Sequence, residues 1–276
     1  ASTMEGEGFV VHRPFPRARH EHLDPFLLLD HVGPVCWQPG EARGMGLHPH
    51  RGYELLTVVL EGELVQRDVH GRGCVLAAGE ASRIVAGAGL VHEERPSDVL
   101  RHRGGRFHAF QLWINLRARD KRLRVRWEVA GASRIATKVE DGCVLRVMAG
   151  ALGALRGPLN GPTEVTVALV DLEPGVAWSE SLAADEMTAA YVLEGAMVAG
   201  PMRRPVVART CVQWANDGER IGVEAGEQGA KIVLLSGRPL LERVYWHGPF
   251  VMNAPDEIAE AITDYYTGRL MDAAVG

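Results

Sequence analysis

Short apolar segments of strand length recur along the chain and are separated by glycine-rich turns. They are rich in β-branched and aromatic residues, which favour strands. Six of them stand out: Leu55–Leu60, Val75–Ala78, Phe107–Leu116, Val165–Leu172, Ala189–Leu193 and Ile232–Leu235. Many short strands with frequent turns are typical of β-sandwiches and β-barrels. The pattern therefore predicts an all-β fold.

One segment near the end of the chain has a helical period instead. Between Pro255 and Leu270, apolar residues recur at spacings of three to four: Ile258, Ile262 and Tyr265. Pro255 and the two acidic residues that follow it suit a helix start, and Gly268 suits a helix end. The spacing predicts a C-terminal amphipathic helix over residues 255–270.

A repeated four-residue sequence indicates an internal duplication. Val59–Gly62 has the same four residues as Val192–Gly195, which lies 133 residues later, close to half of the 276-residue chain. Each copy follows an apolar strand, as expected for two copies of one β-barrel domain. The polar segment Glu128–Asp141 is the predicted linker between them.

Composition and charge narrow the class of protein. The chain has 46% hydrophobic and 24% charged residues and a formal net charge of −5, which fits a globular protein and not a dedicated nucleic-acid binder. No apolar run approaches the roughly 20 residues of a membrane span. The four cysteines form no C-x-x-C pair, so we expect free thiols in the reducing cytoplasm.

Two His-x-His pairs are candidate metal ligands, His20 with His22 and His48 with His50. On a strand, residues i and i+2 point to the same face, so both imidazoles of a pair can reach one ion. The second pair leads into the strand Leu55–Leu60. It also contains Pro49, which suits a strand start or edge. The first pair is the weaker candidate.

A second motif follows about forty residues later, where His92 and Glu94 share an i, i+2 face. Two such pairs on neighbouring strands would offer three imidazoles and one carboxylate to a single ion. That donor set suits a divalent first-row metal such as iron(II) and leaves up to two of six positions open. Glu54 is an alternative carboxylate ligand, because strict alternation places it on the face of His48 and His50.

Five segments together resemble the pirin family, whose members are bicupins of the cupin superfamily: Leu23–Pro34, His48–Glu54, Ala86–Pro96, Gln111–Leu116 and His247–Asn253. The resemblance runs from about His12 to the C-terminal helix. It implies two tandem cupin (jelly-roll) barrels, residues 1–135 and residues 136–276 with the helix. It also implies one metal per chain, usually Fe(2+), held by His48, His50, His92 and Glu94 of the first barrel.

The second barrel has no imidazole ligands of its own. The positions 133 residues after His48 and His50 are Ser181 and Ala183, and no histidine lies between His108 and His247. A departure from the usual pirin pattern occurs in the first barrel, where Arg83 lies in a run that commonly carries an aromatic residue.

Three functions are compatible with this site. Some bacterial pirins resemble quercetin 2,3-dioxygenases, which implies a flavonol-like substrate, dioxygen as co-substrate and Glu94 as the catalytic base. Other pirins act as iron- or redox-responsive regulatory partners of proteins, and a third option is a cupin with another small-molecule activity. We expect no direct binding to nucleic acid or to membranes.

Overall fold

The computed structural model describes residues 2–6, 9–16, 21–215 and 220–272. The chain divides into two compact units. The first unit comprises Ala1–Ala132, Gly161–Thr163 and Leu240–Gly276, and the second comprises Ser133–Asn160 and Glu164–Pro239. Strands dominate both units, which confirms the predicted all-β fold class.

The strands are numbered in chain order over the described residues. The strands in the first segment of the first unit, up to residue 132, are β1 Ser2–Glu5, β2 Phe9–His12, β3 Phe26–Trp37, β4 Met45–His50, β5 Tyr53–Glu61, β6 Glu63–Asp68, β7 Gly73–Ala77, β8 Ala81–Val85, β9 Leu90–Pro96, β10 Gly105–Asn115 and β11 Arg126–Ala130. Those of the second unit are β12 Ala136–Glu140, β13 Cys143–Ala149, β14 Ala151–Leu152, β15 Leu155–Arg156, β16 Val165–Leu172, β17 Ala177–Ser181, β18 Met187–Ala199, β19 Arg204–Val207, β20 Cys211–Gln213 and β21 Arg220–Gly237. The chain then adds β22 Tyr245–His247 and β23 Phe250–Met252 to the first unit.

Helices are few and short. They are α1 Asp98–Arg103, α2 Pro255–Tyr266 and the 3₁₀ turns Ala118–Asp120 and Ala132–Arg134. None of the helices in the described ranges has the length and apolar character needed to span a membrane.

Two large antiparallel sheets form most of the first unit, and β22 and β23 pair as a separate two-stranded sheet. One of the large sheets has the strand order β1-β2-β3-β10-β5-β8-β11, and the other has the order β4-β9-β6-β7. Apolar side chains from both sheets form the core, including Phe9, Leu64 and Phe107 in one cluster and Leu27, Leu55 and Ile84 in another.

One eight-stranded sheet forms most of the second unit. Its longest strand, β21, pairs with β17 through residues 220–224 and with β16 through residues 230–237. The two halves of β21 therefore pair with different strands of the sheet, which surrounds one apolar core. Each of the six apolar segments singled out in the sequence falls on a strand, although two of them, ending at Ala78 and Leu116, run one residue past it; Val165–Leu172 coincides with β16.

The unit boundaries differ from the predicted domain boundaries. The first break falls after Ala132, within the predicted linker, but strands β11 and β12 occupy much of that linker. Residues 240–276, which the prediction places in the second domain, belong to the first unit. The reason lies in long-range contacts: the buried Arg51 donates to Asp264, and the Lys121 ammonium donates to the Val251 carbonyl.

Helix α2 has the predicted amphipathic character. It begins at Pro255, with Asp256 and Glu257 in its first turn, and it ends at Tyr266, four residues earlier than predicted. Its apolar face packs around Phe250, with Ile258, Ile262 and Tyr265 in one cluster.

Truncation after Asn253 will lower the melting temperature. The truncated chain loses three apolar contacts, worth on the order of 5 kcal/mol in total, and leaves the buried Arg51 without its carboxylate partner. Thermal unfolding followed by circular dichroism measures the effect, and Asp264→Asn isolates the contribution of the ion pair. An unchanged melting temperature would show that α2 does not stabilise the unit.

Candidate metal centre

Strands β4 and β9 bring the predicted ligands together. They pair antiparallel, with His48 opposite His92 and His50 opposite Leu90. Since side chains alternate along a strand, His48, His50, His92 and Glu94 point to the same side of the two strands. A register irregularity between Met45 and His48 lies at the edge of this cluster.

The three imidazoles form a nearly equilateral triangle. Their ring centroids are 4.7 Å apart for His48 and His50, 4.6 Å for His48 and His92, and 4.8 Å for His50 and His92. Their potential ligand atoms all lie within 4.8 Å of one another. Within the described part of the chain, this is the group of three or more His, Cys, Asp or Glu residues that could hold an ion.

Hydrogen bonds orient two of the rings toward the centre. His48 Nδ1 lies 2.7 Å from the Gly46 carbonyl and His50 Nδ1 lies 2.5 Å from the Tyr53 hydroxyl. When each Nδ1 carries the proton, each Nε2 keeps a free lone pair, as a metal ligand requires. The His48 Nε2 atom is buried and has no hydrogen-bond partner among the described residues.

The spacing of the nitrogens fits a metal ion. The Nε2 atoms of His50 and His92 are 2.9 Å apart. Two nitrogen ligands bound at right angles at 2.0–2.1 Å are separated by about 2.9 Å. The same separation also suits a hydrogen bond in which one of the two Nε2 atoms carries a proton. The spacing is therefore compatible with two nitrogen ligands of one ion.

The imidazoles of His50 and His92 stay neutral at neutral pH. Burial lowers the pKa of His50 well below its usual value, and His48 and His92 lower it further. Burial likewise lowers the pKa of His92 to about 4, although Glu94 opposes the shift. Burial and Glu94 raise the pKa of the Tyr53 phenol, so that it remains protonated.

Glu94 is held by one of its two oxygens. Its Oε1 atom accepts hydrogen bonds from the side-chain amides of Gln66 at 2.6 Å and Gln111 at 2.8 Å. Its Oε2 atom lies 3.9 Å from His48 Nε2. The carboxylate thus presents one free oxygen to the histidine cluster.

The two glutamine amides are themselves fixed by neighbours. Both donate to the Thr57 hydroxyl, the Ser82 hydroxyl donates to Gln66, and the Trp113 indole donates to Gln111. The sequence pattern did not predict either glutamine as part of the site. Gln111 lies in one of the motifs that resemble the pirin family, whereas no local pattern marks Gln66.

Opposing effects act on the Glu94 carboxyl. Burial alone would raise its pKa, but the positive charge that His92 and His48 can carry and the two amide hydrogen bonds lower it, and the net shift is downward. At neutral pH the group is therefore an anion with a free oxygen.

The alternative ligand Glu54 is excluded by a bend after His50. Gly52 has φ = +92°, and a Cβ at this position would collide with the Val251 carbonyl oxygen. The bend breaks the alternation, so Tyr53 and not Glu54 faces the histidines. The assumption of strict alternation placed Glu54 on the wrong face.

Glu54 is instead half of a buried ion pair. Arg83 Nε and Nη2 donate to its two oxygens at 2.8 and 2.9 Å, and the backbone N–H of Thr163 donates to Oε1 at 3.2 Å. Arg83, the residue that departs from the usual pirin pattern, also donates to the Thr163 carbonyl. This pair ties residues 161–163 into the first unit.

Glu54→Gln will destabilise the protein without removing its metal. The substitution leaves the Arg83 guanidinium buried without its anion, and breaking one side of a buried pair costs about 3–5 kcal/mol. Chemical denaturation gives the loss of unfolding free energy, and elemental analysis gives the metal content. If Glu54→Gln lost its metal while its unfolding free energy stayed unchanged, Glu54 would be a metal ligand.

His22, from the other His-x-His pair, contributes no ligand to this cluster. His22 is not a member of the group of three, and His20 lies outside the described residues. In the second unit, the strand pair β17 and β21 directs Trp178, Ile221 and Val223 into an apolar core.

Acid will destabilise the metal-free protein between pH 6.5 and about 4. Unfolded histidine has a pKa near 6.5, whereas that of folded His92 is about 4. Below pH 6.5 the unfolded chain therefore binds a proton that the folded chain does not, and stability falls by on the order of 3 kcal/mol from this residue. Urea unfolding across this range measures the slope, which should flatten in His92→Gln.

Two β units with a histidine–carboxylate cluster in the first are typical of two-domain cupin proteins. The Pirin family model matches residues 8–114, and the model of the pirin C-terminal cupin domain matches residues 167–271. The chain belongs to the pirin family.

Similar proteins cover nearly the full chain. A Pseudomonas aeruginosa protein with a provisional quercetin 2,3-dioxygenase name is 35% identical over 97% of this chain and 94% of its own length. Pirin of Homo sapiens is 30% identical over 96% of this chain and 89% of its own length. A crystal structure of quercetin 2,3-dioxygenase from Acinetobacter baumannii is 33% identical, with a TM-score of 0.93, and the match covers 98% of this chain and 94% of that one.

Proposed function

We propose that this pirin is a dioxygenase that opens a flavonol-like ring with dioxygen and uses one Fe(2+) ion per chain. Two of the similar proteins carry the name quercetin 2,3-dioxygenase. Three nitrogen donors and one carboxylate suit a divalent first-row metal, for which iron(II) is the proposed ion. The proposed ligands are His48, His50, His92 and Glu94.

The observation that carries the proposal is the free oxygen of Glu94 beside a cluster of three imidazoles. Oε1 is occupied by the amides of Gln66 and Gln111, whereas Oε2 lies toward His48. A carboxylate fixed in this way can accept a proton from a hydroxyl group placed next to it.

Each residue has a distinct role in this mechanism. When bound, the metal would supply Lewis acidity and a template for both reactants. Glu94 accepts the proton of the substrate hydroxyl at its Oε2 atom, which is also the atom that would ligate the metal, so this role requires that its metal bond be labile. The two glutamines hold Oε1 and thereby orient Oε2. Tyr53, protonated and in contact with His50, holds that imidazole in the orientation needed for ligation.

Anaerobic reconstitution with iron(II), followed by oxygen-uptake assays with a panel of flavonols, tests the proposal. We expect uptake with at least one flavonol and release of carbon monoxide, and no uptake by metal-free protein. If the iron-loaded protein consumes no oxygen with any flavonol, the enzyme proposal fails in favour of a regulatory protein partner.

A further inference from the structure

A small cavity adjoins Glu94 of the candidate metal centre. Its volume is about 50 Å³, and Glu94 contributes to its wall. Apolar side chains make up most of the lining: Phe9, Val32, Leu64, Phe107, Ala109 and Phe110. These residues belong to the core of the first unit or to its strands β2, β3, β6 and β10.

The polar groups of the wall are engaged with protein partners. Glu94 Oε1 and the Thr57 hydroxyl both accept from Gln111, so the polar side chains on this wall bond one another. Asp30, at another part of the lining, forms two hydrogen bonds with Arg13, at 2.7 and 2.6 Å. Ordered water in a protein cavity needs two to four polar partners, and these groups have already used much of their capacity.

The size of the cavity limits what can occupy it. Pockets for molecules as large as a flavonol measure about 300–1,000 Å³, so this cavity is far too small for the organic substrate. It is large enough for a diatomic molecule, since a single water needs only about 10–15 Å³ by this measure. Apolar lining favours an uncharged, weakly polar occupant over an ion or water.

We propose that this cavity is a dioxygen site that delivers the gas to the Glu94 side of the metal centre. Dioxygen is apolar and diatomic, and it is the co-substrate that the proposed function requires. The assignment rests on that function. The three histidines lie outside the cavity lining given by the described residues, so the gas would approach past the carboxylate and not between the imidazoles.

Xenon, an apolar gas visible by X-ray diffraction, is the probe for the cavity itself. Crystals of the full chain under xenon pressure should show a xenon atom among Phe9, Leu64 and Phe107. Ordered water or an unfilled cavity under the same pressure would overturn the proposal. This result does not depend on any enzymatic activity.

Ala109→Val tests whether the cavity carries dioxygen. Ala109 is 3% exposed and lies on β10, where valine suits the strand. The added methyl groups should slow oxidation of the bound iron(II) by dioxygen severalfold, while oxidation by ferricyanide, which needs no entry into the cavity, stays unchanged. Ala190→Val is the matched control, because Ala190 is an equally buried strand alanine of the second unit.

The outcomes separate this proposal from the proposed function. Equal rates with dioxygen in Ala109→Val and wild-type protein would overturn the dioxygen assignment, even if xenon binds. If Ala109→Val does not fold, the xenon result on wild-type protein decides. Both measurements omit flavonol, so a protein that fails to turn over any flavonol can still support or overturn the gas site.

Discussion

Glu94→Gln will lower flavonol turnover by about 100-fold or more, the scale of losing a general base. Glutamine keeps the size of the side chain and one oxygen donor but removes the charge and the basicity. We therefore expect metal affinity to fall only modestly. Steady-state oxygen uptake by protein of known iron content measures the effect.

Glu93→Gln is the matched control for this experiment. Glu93 is adjacent on β9, points to the opposite face and lies 3.6 Å from Arg95. Its substitution should leave turnover and metal content unchanged. Wild-type turnover by iron-loaded Glu94→Gln would rule out Glu94 as the base, whereas a matching loss in both variants would indicate damage to β9.

His92→Ala will abolish tight metal binding. His92 is fully buried, its Nε2 lies 2.9 Å from that of His50, and its ring contacts both other imidazoles. Alanine leaves two imidazoles and a carboxylate, too few for the proposed four-ligand set. Elemental analysis after dialysis against a chelator should find one ion per chain in wild-type protein and none in the variant.

His22→Ala is the control, because His22 belongs to the competing His-x-His pair. It should retain the full metal content. A loss of metal from His22→Ala, with retention in His92→Ala, would show that the other pair is the ligand pair. Two ions per chain in wild-type protein would contradict the single site.

Alternation along strands was enough to predict which side chains meet in the cluster. His48 and His50 share a face of β4, His92 and Glu94 share a face of β9, and the antiparallel pairing of these strands joins the two sets. The same rule failed at Glu54, because Gly52 bends the chain and shifts the alternation by one residue. At this bend the Val251 carbonyl, about 200 residues away, approaches Gly52 too closely for a Cβ, and local pattern does not encode that approach.

The residues that hold Glu94 illustrate the same limit. Gln66 and Gln111 lie on different strands, and both reach the carboxylate only when β6, β9 and β10 are assembled. Polar residues on strands usually indicate a solvated face, so their sequence positions give no sign of a shared partner. The return of residues 240–276 to the first unit likewise depends on single long-range contacts such as that of Arg51 with Asp264.

The packing of residues 240–276 in the first unit has a consequence for synthesis of the protein on the ribosome. Every proposed ligand has been made once residue 94 is added. However, the turn after His50 is closed by Val251, which pairs with Arg51, and by Asp264, which neutralises the same arginine. The second unit must emerge before these partners exist. We therefore expect the metal to be bound in a completed centre only after residues 251–264 have been made, because the contacts of Arg51 with Val251 and Asp264 are missing until then.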